Sequence, residues 1–310
     1  MKKLCFVFLL LCATAGLAMP IASSARALVP ADLQQLIGVD YRALKDSPTA
    51  QALKGKVLPD NLKEMETSLK GIGIDVEHDV DQLDFASFRT EKKGIQTICV
   101  AQGSFSAKAV LKKLKLKKIS ATKYNKTDIY PMDNGLVMTF LDDNTMAFGT
   151  EANLHSGLDA RDGKRPTLDS NPVMADQMAS VDASPLWSIL DQQGTQAMMF
   201  SVMGDAASKV GDYESVKKRI LASRYTMSFQ SGVNFDLSVV TADSMTAATL
   251  STVLKGLVLY KKMTASAIEK AAYDATTVDS DSSILQLHFK SDDQKFQSLM
   301  NSPLFAAISH

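Results

Sequence analysis

Tyr225-Thr226-Met227-Ser228-Phe229, the pair Ser231-Gly232, and Val233-Asn234-Phe235-Asp236-Leu237-Ser238-Val239 decide the fold. Apolar and polar residues alternate in each run, so a strand built from either has one buried and one wet face. Ser231-Gly232 supplies a tight turn between them, and the two runs read as an antiparallel hairpin. Asp243 or Ser244 then offers an N-cap oxygen to a helix from about Met245 to Tyr260. Met245, Ala248, Leu250, Val253, Leu254, Leu257 and Val258 make that helix apolar around most of its girth, which suits the centre of a core.

The same order of hairpin, capped turn and helix occurs earlier in the chain. Leu83–Phe88 and Ile95–Ala101 read as strands joined by Glu91-Lys92-Lys93-Gly94, and Ser104 or Ser106 caps a helix over Ala107–Leu116. Strand candidates follow at Asp128–Tyr130, Leu136–Phe140 and Thr145–Phe148, then a helix from about Glu151 to Asp159. Upstream, Val39-Asp40-Tyr41 reads as a short strand after a break at Gly38, and Arg42–Lys54 as a helix interrupted near Ser47-Pro48. Downstream come a strand at Pro185–Leu190, helices from Asn171-Pro172, from Gln192 and over Asp212–Leu221, strands at Thr276–Val278 and Leu285–Phe289, and a last helix from Asp292 or Asp293. Asp162-Gly163-Lys164-Arg165-Pro166 is the most linker-like segment. The expected fold is therefore α+β, with two related halves over residues 28–162 and 163–310. Each half is an antiparallel sheet with helices packed on one face, as an internal duplication would give.

Residues 1–27 read as a secretory signal peptide. Lys2-Lys3 is a basic start, Leu4–Ala18 an apolar run, and Ala25-Arg26-Ala27 a small-x-small cleavage pattern. Gly16 and Pro20 break the run before it reaches the length of a membrane span. Cys12 follows Leu11, where a lipid-attachment site wants a small residue. The mature chain then starts near Leu28 in the periplasm or outside the cell, with no transmembrane segment after cleavage. It keeps one cysteine, Cys99, in a strand-like run that suits a buried, inert thiol. Lysines and arginines balance aspartates and glutamates at 34 each over 310 residues, so losing Lys2, Lys3 and Arg26 leaves a net charge near −3. Nothing in that balance points to nucleic acid.

Reactive constellations are scarce. There is no Gly-x-Ser-x-Gly elbow and no phosphate-cradling glycine loop. His78, His155, His288 and His310 lie far apart, without metal-ligand spacing. Asp279-Ser280-Asp281-Ser282-Ser283 starts like a calcium loop, but Ile284 and Lys290 stand where glycine and glutamate are needed. No cofactor and no metal is expected. Methionines gather in the second half, and Met198, Met199, Met203 and Met227, with Trp187, are the candidate lining of a hydrophobic ligand site. Lys108, Lys112, Lys113 and Lys115 on the Ala107–Leu116 helix are the candidate contact with an anionic surface.

At Val39-Asp40-Tyr41-Arg42-Ala43-Leu44, at Asp191-Gln192-Gln193-Gly194-Thr195-Gln196 and at Val278-Asp279-Ser280-Asp281-Ser282-Ser283, the chain resembles uncharacterised secreted bacterial proteins. These share a Val-Pro-Ala-Asp start and two related α+β halves. The resemblance implies export and a duplicated plan, and it carries no activity. The sequence thus leads to an exported, non-enzymatic binding or structural protein of the cell envelope, in its sharpest form one holding a hydrophobic or amphiphilic ligand. An extracytoplasmic hydrolase using carboxylates is the alternative.

Overall fold

The computed structural model describes residues 21–57, 60–90, 94–181, 183–204 and 213–308. Most of the expected signal segment (residues 1–20, with Cys5 and Cys12), the turn residues Glu91–Lys93, Asp212 and His310 lie outside the described residues. The strands are β1 (Leu33–Asp40), β2 (Val80–Thr90), β3 (Gly94–Gly103), β4 (Thr122–Tyr124), β5 (Thr127–Pro131), β6 (Val137–Phe140), β7 (Thr145–Gly149), β8 (Leu186–Leu190), β9 (Ile220–Ser228), β10 (Val233–Thr241), β11 (Thr276–Asp281) and β12 (Ile284–Ser291). The helices of the first half are α1 (Ser23–Arg26), α2 (Tyr41–Leu44), α3 (Pro48–Val57), α4 (Asp60–Gly71), α5 (Val76–Asp79), α6 (Ala107–Leu116) and α7 (Glu151–Arg161). Those of the second are α8 (Pro172–Ala179), α9 (Gln192–Met203), α10 (Tyr213–Lys218), α11 (Ser244–Thr264), α12 (Ala267–Asp274), α13 (Asp293–Leu299) and α14 (Pro303–Ile308).

The expected α+β class and the antiparallel pairing are both present. In place of two separate sheets, however, all twelve strands form one, in the order β11-β12-β10-β9-β8-β1-β2-β3-β7-β6-β5-β4. The order β1-β2-β3-β7-β6 on one side of the midline repeats as β8-β9-β10-β12-β11 on the other. In each case three strands run as a meander, a helix follows, and the last strand docks beside the third.

β1 joins the two sides. It pairs with β2 through Leu36↔Ala86 and Gly38↔Asp84, and with β8 through Leu36↔Ile189 and Gly38↔Trp187. The sequence reading treats Gly38 as a break, but it lies inside the strand. The indole of Trp187 lies over it, and a Cβ at position 38 would stand 2.3 Å from Trp187 Cε2. This glycine permits close approach rather than a turn. The boundary expected at residue 162 falls just after α7, yet the ladder from β1 to β8 crosses it.

Helices also cover more of the sheet than one face. Leu83, Phe85, Cys99 and Ala101 pack with Leu69, Ile72, Val110 and Leu114 beneath α4 and α6. Ala86, Phe88, Ile98 and Val100 point the other way, against Ala25, Leu154, Leu158, Met174 and Met178 of α1, α7 and α8. Phe85-Ala86 and Ile98-Cys99-Val100-Ala101 are continuously apolar, the pattern of strands buried on both faces. The one-sided arrangement holds only in the outer second half. There α9 and α11 cover Leu237, Val239 and Leu285, and the opposite face presents Asp236 and His288 to solvent.

Candidate functional site

The midline is where the chain builds a hollow. At the end of β1, Asp40 turns the backbone onto the helical face, its Oδ1 accepting the Ala43 N–H at 2.8 Å and so capping α2. Ser47 Oγ then accepts from Ala50 N at 3.2 Å, and Pro48 starts α3 with its fixed φ. Ala50 and Leu53 face down from α3 and are buried. Leu53 joins Val233, Phe296, Met300 and Phe305, which anchors the far side of α3 to α13 and α14. Between α3 and the sheet remains a hollow of about 100 Å³, lined chiefly by Val39, Tyr41, Leu44, Phe85, Leu186 and Phe229. It opens beside a cleft of about 440 Å³ that shares Leu44 and Phe229 and adds Ser47, Thr49, Asp293 and Gln297. The apolar end thus lies under α3 and the polar end beside α13.

The polar groups at the two ends are already ordered. In the cleft, Thr49 Oγ1 donates to Asp293 Oδ1 at 2.6 Å and accepts from Gln297 Nε2 at 3.1 Å. At the hollow, the Tyr41 hydroxyl donates to Glu66, whose Oε1 also pairs with Lys54 Nζ at 2.8 Å. Lys54 Nζ stands 4.6 Å from the Tyr41 ring centroid, a cation–π distance. Burial, reinforced by the Glu66 carboxylate, drives the Tyr41 phenol pKa far upward, so it stays a donor. Lys54 and Glu66 neutralise each other at the hollow, while Asp46 and Asp293 line the cleft.

A larger cleft of about 840 Å³ lies between α12 and α13, over Phe289. Three of its four charged lining residues already serve the helices around it. Asp292 caps α13 and pairs with Lys295 at 3.0 Å, and Asp274 pairs with Lys262 of α11.

Of the residues expected to form a methionine-lined site, Met198, Met199 and Met203 share one cluster, while Met227 and Trp187 lie in two others. Met199 and Met203 are buried beneath α11 with Leu250 and Leu254, and Met198 packs at the edge of that cluster. Met227 packs beside Phe229 in the cluster next to the midline cleft. Trp187 is buried against Gly38 on the opposite face of the sheet. Its chain neighbour Leu186 is the residue that reaches the hollow. On α6, Lys108, Lys112, Lys113 and Lys115 are all exposed. Lys113 Nζ donates to Gly73 O at 3.0 Å, and Lys117 Nζ to Gly71 O at 2.8 Å, so part of this row braces the carbonyls at the end of α4. Sequence periodicity could not find the hollow, because its lining comes from four stretches far apart in the chain: residues 39–54, Phe85, Leu186 and Phe229. The signal that was present is Ser47-Pro48 above an apolar strand end.

One carboxyl is strongly perturbed. Burial pushes the Asp84 pKa up to about 7, opposed by a hydrogen bond from Gln82 Nε2 to its Oδ1 at 2.8 Å. Asp84 sits inside the sheet and lines none of these three clefts. Cys99 is likewise enclosed, its thiol pKa raised by burial. Among the described residues, no group of three or more His, Cys, Asp or Glu could hold a metal ion, and no helix is long and apolar enough to cross a membrane.

This architecture is found in solved structures. The chain is similar to crystal form I of TP0453, with a TM-score of 0.52 and 10% identity over 89% of this chain and 95% of that one. The likeness spans both sides of the midline, so it concerns the whole sheet and not one half. At that identity it speaks to the fold alone. No family model and no curated protein matches the sequence.

Proposed function

We propose that this is an exported, non-enzymatic protein of the cell envelope that holds an amphiphile at the sheet midline. The observation that carries the reading is a pair of neighbouring spaces that share Leu44 and Phe229: an apolar hollow under α3 and a hydrogen-bonding cleft beside α13. An alkyl chain fits the end lined by Val39, Phe85, Leu186 and Phe229. A neutral, hydroxyl-bearing head fits the end held by Thr49, Asp293 and Gln297. Ligand sites commonly combine an apolar enclosure with a few ordered polar groups in this way. Export is supported by the apolar run after Lys2-Lys3.

The test uses an alkyl glycoside as probe. Ala50 faces the hollow from α3, and leucine is nearly as good a helix former, so Ala50→Leu fills the space while keeping the helix. Titration calorimetry on the two proteins should give affinity at least about tenfold weaker in the variant, at equal or higher melting temperature. Equal affinity in both would refute the site.

A further inference from the structure

We infer that export processing cuts this chain before Ile21, not after Ala27, so that residues 21–27 remain part of the mature core. The inference rests on the export reading above. Ala25-Arg26-Ala27 carries a small-x-small pattern, but the fold uses these residues. Ser23–Arg26 is α1, and Ile21 and Ala25 belong to the cluster of Leu28, Leu33, Ile98 and Trp187. Ala25 and Leu28 are both 0% exposed. Ser24 Oγ donates to Asp142 Oδ2 at 2.7 Å, which ties α1 to the turn between β6 and β7. Arg26 Nε donates to Asp169 Oδ1 at 2.6 Å, which ties it to the turn before α8. The Leu28 and Val29 N–H groups donate back to the carbonyls of Ala25 and Arg26 at 3.0 and 3.1 Å.

Signal removal acts on a translocating chain before it folds, so shielding of the bond in the finished protein is not the issue. What decides is what the fold then lacks. A cut after Ala27 takes Ile21 and Ala25 out of a closed apolar cluster and strips Asp142 and Asp169 of these donors. It also creates an ammonium on Leu28, within that cluster. An unpaired charge in apolar surroundings is strongly disfavoured. A cut upstream does none of this. Two small-x-small triplets lie at the end of the apolar run, Ala13-Thr14-Ala15 and Gly16-Leu17-Ala18, and cleavage after either leaves the new amine ahead of Ile21.

N-terminal sequencing of the exported protein should find Gly16 or Met19 first. A chain starting at Leu28 would overturn this inference and leave export intact. A chain still starting at Met1 would count against export as well. Independently, purified chains starting at Met19 and at Leu28 can be melted side by side. The shorter should melt at least about 4 °C lower, or fail to fold. Matching melting temperatures would overturn the claim that residues 21–27 are part of the mature core.

Discussion

At position 38 any side chain would collide with the indole of Trp187. The chain has one tryptophan, so its fluorescence reports on this contact without labelling. Gly38→Ala should lower the free energy of unfolding by about 1–3 kcal/mol, the usual cost of overpacking, and shift native emission to the red. Denaturant unfolding followed at Trp187 measures both, and an unchanged midpoint would contradict the packing described. Asp84 makes a different prediction. Its Oδ2 and the Oε1 atoms of Gln82 and Gln102 are buried without a donor among the described residues, and a protonated Asp84 supplies one. Unfolded, the carboxyl titrates near 3.8; folded, near 7. Well below pH 3.8 both states are protonated and the penalty vanishes. As pH climbs toward 7 the unfolded chain ionises while the folded one keeps its proton, so stability falls. Asp84→Asn should therefore be more stable at pH 8, on the order of 2–4 kcal/mol, with the gap closing toward pH 4. A gap independent of pH would show that Asp84 does not titrate this way. Neither residue was legible from sequence. Glycine marks turns as often as close approaches, and an aspartate between Leu83 and Phe85 reads as an outward side chain until the second layer of helices is in place.

Elements were far more legible than their neighbours. The hairpin of β9 and β10 and the helix after it follow from alternation and capping, and Asp243 caps α11 as its position suggests, Oδ1 accepting Thr246 N at 2.8 Å. The girth of α11 misleads, however. Ala247, Leu250 and Leu254 face the core, while Met245, Leu259, Tyr260 and Met263 are exposed. β1 was reduced to its last residues, because its burial on both sides depends on β2 and β8. Asp191 links two elements at once. Its Oδ1 caps α9 through Gly194 N at 2.7 Å, and its carboxylate pairs with Arg89 of β2. Asp191→Ala loses both contacts and should destabilise by about 2 kcal/mol. Asp191→Asn keeps the cap and should recover about half. Equal losses in thermal unfolding would mean that the cap contributes nothing.

For the whole molecule, the repeated order of strands was visible in the sequence as two similar successions of hairpin and helix. Their merging into one sheet was not, because β1 pairs across a boundary that composition marks as a linker. That merging also builds the hollow. The midline hollow takes Val39 from β1, Phe85 from β2, Leu186 from β8 and Phe229 from just beyond β9, so neither half contains it alone. We propose that this hollow is occupied by an amphiphile in the protein's own setting. Native mass spectrometry of the protein purified from its source without detergent tests it most directly. The protein should retain an adduct of a single-chain amphiphile that is released on unfolding and missing from Ala50→Leu. A bare polypeptide mass for the unmodified protein, or the same adduct in both, would contradict it.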